Sequence, residues 1–303
     1  GLSKSIMKLS IIVPAHNEEQ NIGDCLQELC EKVGRQNNIP LEIIAVDDNS
    51  SDGTSEIVGK VQLQYPEVRL VKRRPPAGFG RAIRAGLEAV QGDVVVIYMA
   101  DLSDDPQDVV AYYRKIQEGY DCVFGSRFMA GSKVENYPRL KLICNRIVNR
   151  CIQWMFWTKF NDLTNAFKAY RVEALRACSP FNACHFNITL EMSLGVLTRK
   201  YHVTQIPISW YGRTWGLSKL KLREMGRRYL STLMMVFFQR MLISDDLIAE
   251  RLSSRDNLRE QHRDLEDRVK GLEQQIERLG GATAGQSAAV ERATETSVSL
   301  RNA

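Results

Sequence analysis

Short apolar runs alternate with stretches of helical spacing over the first hundred residues, and that alternation is the strongest constraint on how the chain can fold. Ser10-Ile-Ile-Val13 is closed by Pro14, and Leu41 to Val46, Val68 to Lys72 and Asp93 to Tyr98 follow as further strand-like runs. Between them, Asn17 to Val33 carries Ile22, Leu26 and Leu29 on one helical face, Thr54 opens a second helix and Gly80 to Val90 forms a third. Continuously apolar strands joined by helices call for a largely parallel sheet covered on both faces. In such α/β sheets ligands sit beyond the carboxyl ends of the strands, so the informative residues are expected just after each run.

Past a fifth strand at Asp121 to Gly125 the pattern loosens. Lys141 to Phe156 and part of Ala183 to Thr198 read as helix, and Ala166 to Tyr170 and Val203 to Ile208 as strands. Tyr229 to Ile243 is mostly apolar but interrupted by Gln239 and Arg240, and it falls short of the roughly 20 residues a spanning helix needs. Leu258, Leu265, Leu272 and Leu279 then recur every seven residues, with Val269 and Ile276 at the complementary positions. That is the grammar of a short coiled coil, which predicts a homodimer or tetramer. The expected segments are thus a body over 7–222, an amphipathic interfacial helix over 223–244, a coiled coil over 245–280 and a disordered tail over 281–303.

The formal charge of +5 is informative only by its placement. From Ser244 on, Asp and Glu outnumber Lys and Arg, and the basic cluster runs from Arg213 to Arg228, where it can meet phosphates or an anionic membrane. No nucleic-acid partner is expected. Seven scattered cysteines include no C-x-x-C pair, which argues against a zinc knuckle or redox motif and favours reduced thiols in the cytoplasm. The first apolar run, Leu9 to Pro14, is far too short for a secretory signal.

Four strand ends carry candidate chemistry. VPAHNEE places Pro14, Ala15 and Glu18 at the ligand edge, a position that a plain helix cap would also explain. VDDNSSDGT sets Asp47 and Asp48 where a carboxylate can accept from a base N–H, though an ordinary Asp/Asn/Gly turn has the same letters. RRPPAGFGR puts Gly78, Gly80 and Arg81 at a helix start that favours anions, without a dinucleotide or P-loop fingerprint. VVVIYMADLSDDP is the sharpest, with Asp101 followed by Asp104 and Asp105. Hard cations such as Mg²⁺ or Mn²⁺ seek carboxylate oxygens and bridge readily to a diphosphate. Helix capping accounts for the later pair but not for Asp101.

Taken in order, these segments resemble glycosyltransferase family 2, especially its dolichol-phosphate mannose synthases and bacterial polyprenyl-phosphate glycosyltransferases. The likeness runs from about Leu9 to Leu222. It continues through GSRF at Gly125 to Phe128 and DLTNAFKAYR at Asp162 to Arg171, then Glu191, and closes on R-x-x-G-x-S-K-L at Arg213, Gly216, Ser218 and Lys219. Two positions depart from the family: Ala166 replaces the usual glycine, and Met99-Ala100-Asp101 stands where the family has D-A-D. The resemblance implies a GT-A fold, Rossmann-like with a mixed, mainly parallel sheet. It implies a donor site lined by Pro14, Ala15, Glu18, Asp47 or Asp48, Gly78, Gly80, Arg81, Ala100 and Asp101. Asp101 would hold the metal, with Ser103 in the neighbouring motif position. Arg127, Arg213, Ser218 and Lys219 would gather the donor diphosphate and the acceptor phosphate.

The activity so implied is transfer with inversion from a GDP- or UDP-linked sugar to a lipid phosphate, at the cytoplasmic face of a membrane. A hydroxyl acceptor would instead need a carboxylate as base, with Asp162 and Glu191 as candidates. Asp162 could equally orient Arg127, and Glu191 could pair with a nearby cation. A nucleotidyltransferase of related fold is a further alternative, but PAHNEE lacks the glycine-rich basic segment such enzymes show after the first strand.

Overall fold

The computed structural model describes residues 7–212 and 222–242, with the isolated positions 265, 268 and 269. The chain divides into two units, Gly1–Leu242 and Ile243–Ala303, and the fold described is that of the first. Apart from those three isolated positions, the coiled coil expected over 245–280 lies outside the described residues, as do the tail and Arg213, Ser218 and Lys219.

The first unit is built on a seven-stranded sheet. In chain order its strands are β1 (Leu9–Ala15), β2 (Leu41–Asp47), β3 (Val68–Lys72), β4 (Val94–Ile97), β5 (Cys122–Ser126), β7 (Lys168–Arg171) and β8 (Val203–Pro207), arranged β3-β2-β1-β4-β7-β5-β8. All neighbours run parallel except β7, which is antiparallel to both β4 and β5. Two three-residue strands, β6 (Lys133–Glu135) and β9 (Ser209–Tyr211), pair in a separate small sheet.

Both faces of the sheet are buried, and the alternation along β1 shows how. Leu9, Ile11 and Val13 point into one apolar cluster with α1 (Ile22–Glu28) and α4 (Pro106–Gln117). Ile12 points the other way, into a cluster with α3 (Phe79–Ala89), α5 (Arg139–Phe156), α7 (Ile188–Thr198) and α8 (Leu222–Leu242). This period of two in a strand apolar on both sides is what a helix-covered sheet requires. The remaining helices are α2 (Thr54–Gln64) and the single turn α6 (Val172–Arg176).

The first helix starts later than its spacing predicts. Asn17 has a positive φ of 56°, and residues 17–19 are drawn into cross-links with the loop after β2. Asn17 N donates to Ser50 Oγ at 3.0 Å, Ser51 N to Asn17 Oδ1 at 2.8 Å, and Gly53 N to Glu19 Oε2 at 2.9 Å. Helix begins at Ile22 and continues beyond α1 as a π-helical stretch, Leu29–Arg35. Among the described residues, no helix is long and apolar enough to cross a membrane.

Candidate active site

The parallel strands deliver the ends of β1, β2, β3, β4 and β5 to one edge. Because β7 is reversed, the turn that precedes it arrives at that same edge. The site is therefore assembled from five loops that leave strands and one that enters a strand.

At this edge, β2 ends in two buried carboxylates. Asp47 Oδ1 accepts from Ser50 N at 2.9 Å and its other oxygen from the Ser55 hydroxyl. Burial pushes the Asp47 carboxyl up, but these hydrogen bonds outweigh it and hold it below the usual carboxylate value. Asp48 accepts from the Arg73 guanidinium and, through Oδ2, from Gly78 N at 2.6 Å. Both acids thus brace the loops at this end of the sheet, and a base N–H would have to use their remaining lone pairs. Arg73, at the end of β3, was not singled out in the sequence although it stands at the expected edge.

Gly78 and Gly80 serve a different contact from the ligand approach their sequence suggests. A Cβ on Gly78 would lie 2.4 Å from the Cys184 carbonyl oxygen, and one on Gly80 2.4 Å from that of Ala183. Gly80 N donates to Cys184 O at 3.0 Å and Arg81 N to the same oxygen at 3.4 Å, so the start of α3 is occupied by the chain itself. Phe79 and Phe186 stack beside it at 4.1 Å. The glycines let the segment 183–186 lie on α3, and that segment is fixed in turn by Glu191. The Glu191 carboxylate accepts from Asn182 N at 2.8 Å and Ala183 N at 2.7 Å and is 6% exposed. Glu191 is an anchor for this loop, with both oxygens engaged, and not the cation partner or open base considered from sequence.

Beyond β4, Leu102 adopts a φ of +59° and turns the chain so that Ser103 donates to Asp101 Oδ1, from N at 3.2 Å and from Oγ at 2.6 Å. Ala100 is buried beneath. Asp105 caps α4, accepting from Gln107 N at 2.8 Å with Pro106 in the first turn, as a capping residue should. Asp104 is different: it is 4% exposed, and its Oδ2 has no hydrogen-bond partner. Burial, reinforced by the Asp101 charge, raises its pKa well above the ordinary carboxylate value.

The turn before β7 meets the end of β5. Arg127 donates to Asp162 from Nε at 2.8 Å, from Nη2 at 2.8 Å and from its amide at 3.0 Å. Asp162 is wholly buried and the Arg127 side chain is 8% exposed. Burial alone would lower the guanidinium pKa, but the Asp162 charge more than offsets this and keeps it protonated. Tyr137 lies against the same guanidinium, 5.4 Å from ring centroid to Cζ. Of the two roles open to Asp162 in the sequence, the geometry is that of an orienting partner.

Residues 10–179 match glycosyl transferase family 2, and the chain belongs to that family. It is 31% identical over 220 residues to a dolichol-phosphate mannosyltransferase of Pyrococcus furiosus, covering 71% of this chain but 60% of that relative's length. It is 27% identical to a polyprenol monophosphomannose synthase of Mycolicibacterium smegmatis, over 69% of this chain and 80% of the relative. Among solved structures, glucosyl-3-phosphoglycerate synthase from Mycobacterium tuberculosis in complex with UDP shares the fold, with a TM-score of 0.60 at 19% identity. That match covers 77% of this chain and 81% of the other.

Proposed function

We propose that the chain transfers a sugar from a nucleoside diphosphate sugar to a polyprenyl or dolichyl phosphate. The observation that carries this reading is the buried Arg127–Asp162 fork, a fixed guanidinium suited to a phosphate, held at the same sheet edge as the Asp101 turn. The two relatives named for lipid-linked mannose support the acceptor. So does the state of the candidate bases. Asp162 is committed to Arg127 and Glu191 to backbone amides, which leaves neither placed to take a proton from a hydroxyl. A phosphate monoester is already anionic near neutral pH and needs no such base. The protein's task is then to orient the acceptor oxygen for in-line displacement with inversion and to hold charge.

A divalent cation, Mg²⁺ or Mn²⁺, fits the Asp101 turn. Ser103 orients Asp101, and the unpartnered, buried Asp104 oxygen beside it is the kind of uncompensated group that a nearby cation relieves. Asp101 and Ser103 would hold the ion. Among the described residues no group of three or more His, Cys, Asp or Glu is arranged to hold a metal, so donor oxygens and water would complete its shell. When bound, it would neutralise charge growing on the departing nucleoside diphosphate. Replacement of the family's first carboxylate by Met99 makes Asp101 carry that role without a neighbour at position 99.

The test is transfer of labelled sugar from GDP- and UDP-sugars to a polyprenyl phosphate and to the matching prenol. Product is expected with the phosphate alone. Transfer to the prenol alone would refute the reading, and formation of nucleotide sugar from sugar phosphate would favour a nucleotidyltransferase.

Peripheral binding to a membrane, at its cytoplasmic face, belongs to the same proposal. Helix α5 exposes Leu140, Ile143, Ile147 and Trp154 at helical spacing, and Trp157 follows at its end; the two tryptophans are 82% and 89% exposed. Helix α8 adds Leu230, Met234, Phe238 and Met241, and the two helices meet where Arg240 Nη1 donates to Phe156 O at 3.1 Å. Arg139, Lys141, Arg146 and Arg150 lie among the apolar residues of α5. Exposed tryptophans beside basic side chains suit an anionic lipid interface, each basic group adding about 1 kcal/mol. Salt-sensitive flotation with anionic vesicles is expected, weakened about tenfold or ~1.4 kcal/mol by Trp154→Ala with Trp157→Ala. A protein that stays wholly in the soluble fraction would exclude it.

A further inference from the structure

The turn that carries Asp162 is gripped at the peptide that follows it. Leu163 N donates to Asn149 Oδ1 at 2.7 Å, and Leu163 O accepts from Lys168 Nζ at 2.7 Å. Asn149, on α5, also donates to Thr164 Oγ1 at 3.0 Å and to Asn145 O at 2.8 Å. Lys168, at the start of β7, reaches on to Ser193 Oγ of α7 at 2.7 Å. Asp162, Leu163 and Lys168 are wholly buried and Asn149 nearly so.

Buried backbone groups must be paired, but a lysine is a costly way to pair a carbonyl and a hydroxyl. Its ammonium faces the Asp162 and Arg127 charges, and the Phe124 ring lies 5.1 Å from Nζ. Burial lowers its pKa to about 7, the Asp162 charge opposing and the Arg127 charge adding to the shift. A leucine side chain and a repositioned turn would fill the same space without that penalty. What the lysine and asparagine supply is a fixed orientation of the two successive peptides on either side of Leu163, the first of which is the peptide that joins it to Asp162.

We infer that Lys168 and Asn149 are positioning residues for sugar transfer: by holding both polar groups of Leu163 they aim the Asp162 carboxylate, and through it the Arg127 guanidinium, at the acceptor phosphate. This rests on the proposed reading of Arg127 as a phosphate-binding group. Displacement of a positioning group by about 1 Å can cost on the order of 10²-fold in rate, so the effect should be large without contact between Lys168 and either substrate.

The test uses the full chain, with polyprenyl phosphate varied at saturating donor and donor affinity read separately by calorimetry. Lys168→Met is expected to lower kcat/KM for the acceptor by about 30-fold or more while donor Kd changes less than about threefold. In an Asp162→Asn background the same change should cost less than about threefold, because the residues act as one unit. Ser193→Ala and Asn149→Ala give smaller losses of the same kind and serve if Lys168→Met does not fold. Wild-type acceptor efficiency in a variant that melts lower would overturn the inference, as would additive effects or parallel losses in donor and acceptor. If Arg127→Ala leaves acceptor efficiency unchanged, the phosphate-binding reading falls and the inference with it. A large effect from Arg127→Ala with none from Lys168→Met overturns the positioning role alone.

Discussion

Asp101→Ala is expected to cost about 10²- to 10³-fold in turnover, the scale on which loss of a charge-stabilising group at a departing anion is felt. The carboxylate is held by two hydrogen bonds from Ser103 on a backbone turned by Leu102, so a replacement elsewhere on the loop cannot take its place. Calorimetry should show that the variant has lost the metal-dependent part of donor binding while retaining a weak metal-independent part. Ser103→Ala removes the hydroxyl that orients Asp101 and would share in holding the ion, and it should cost about 10-fold to 100-fold. Full turnover by the wild-type chain in excess chelator would end the metal proposal.

Asp162→Ala strands the Arg127 guanidinium without its counter-charge in a site where the side chain is 8% exposed. Removing one member of a buried pair costs about 3–5 kcal/mol, which at this size lowers Tm by roughly 10 °C. Activity should vanish with it. Removing both charges separates the two effects. Arg127→Met with Asp162→Leu should melt within a few degrees of the wild type, since paired desolvation is then also removed, yet remain inactive. Thermal melts and transfer assays on the two proteins decide this. An active double variant would show that the fork is structural.

Much of this was readable from the chain itself. β1, β2 and β4 announced themselves because strands buried on both faces are apolar at most positions: VVVI is so throughout, LSIIVPA is broken only by Ser10, and LEIIAVD only by Glu42 and the terminal Asp47. Asp101 and Arg127 stood out in the sequence because a strand end and a family motif coincide there, and both do lie just past strands, β4 and β5. The direction of β7 was not legible, since a buried strand has the same composition whichever way it runs. β6 and β9 are three residues each, too short for any periodicity. Gly78, Gly80 and Glu191 were assigned to chemistry because their true partners, the carbonyls and amides of residues 182–184, are backbone groups that leave no trace in side-chain identity. Lys168 sat inside a quoted motif without a role, because its two acceptors come from a turn and from another helix.

The reversed strand also governs how the protein can be made. β4 pairs with β1 on one side and with β7 on the other, and β5 reaches the sheet only through β7. Between Ile97 and Lys168 lie about 70 residues, several seconds of ribosomal synthesis at ~5–20 residues per second. For that interval the emerging VVVI edge has hydrogen-bonding groups with no strand to meet, the condition under which unrelated chains pair edge to edge. A polypeptide stopped anywhere in this window would hold a four-stranded piece whose β4 edge has no partner.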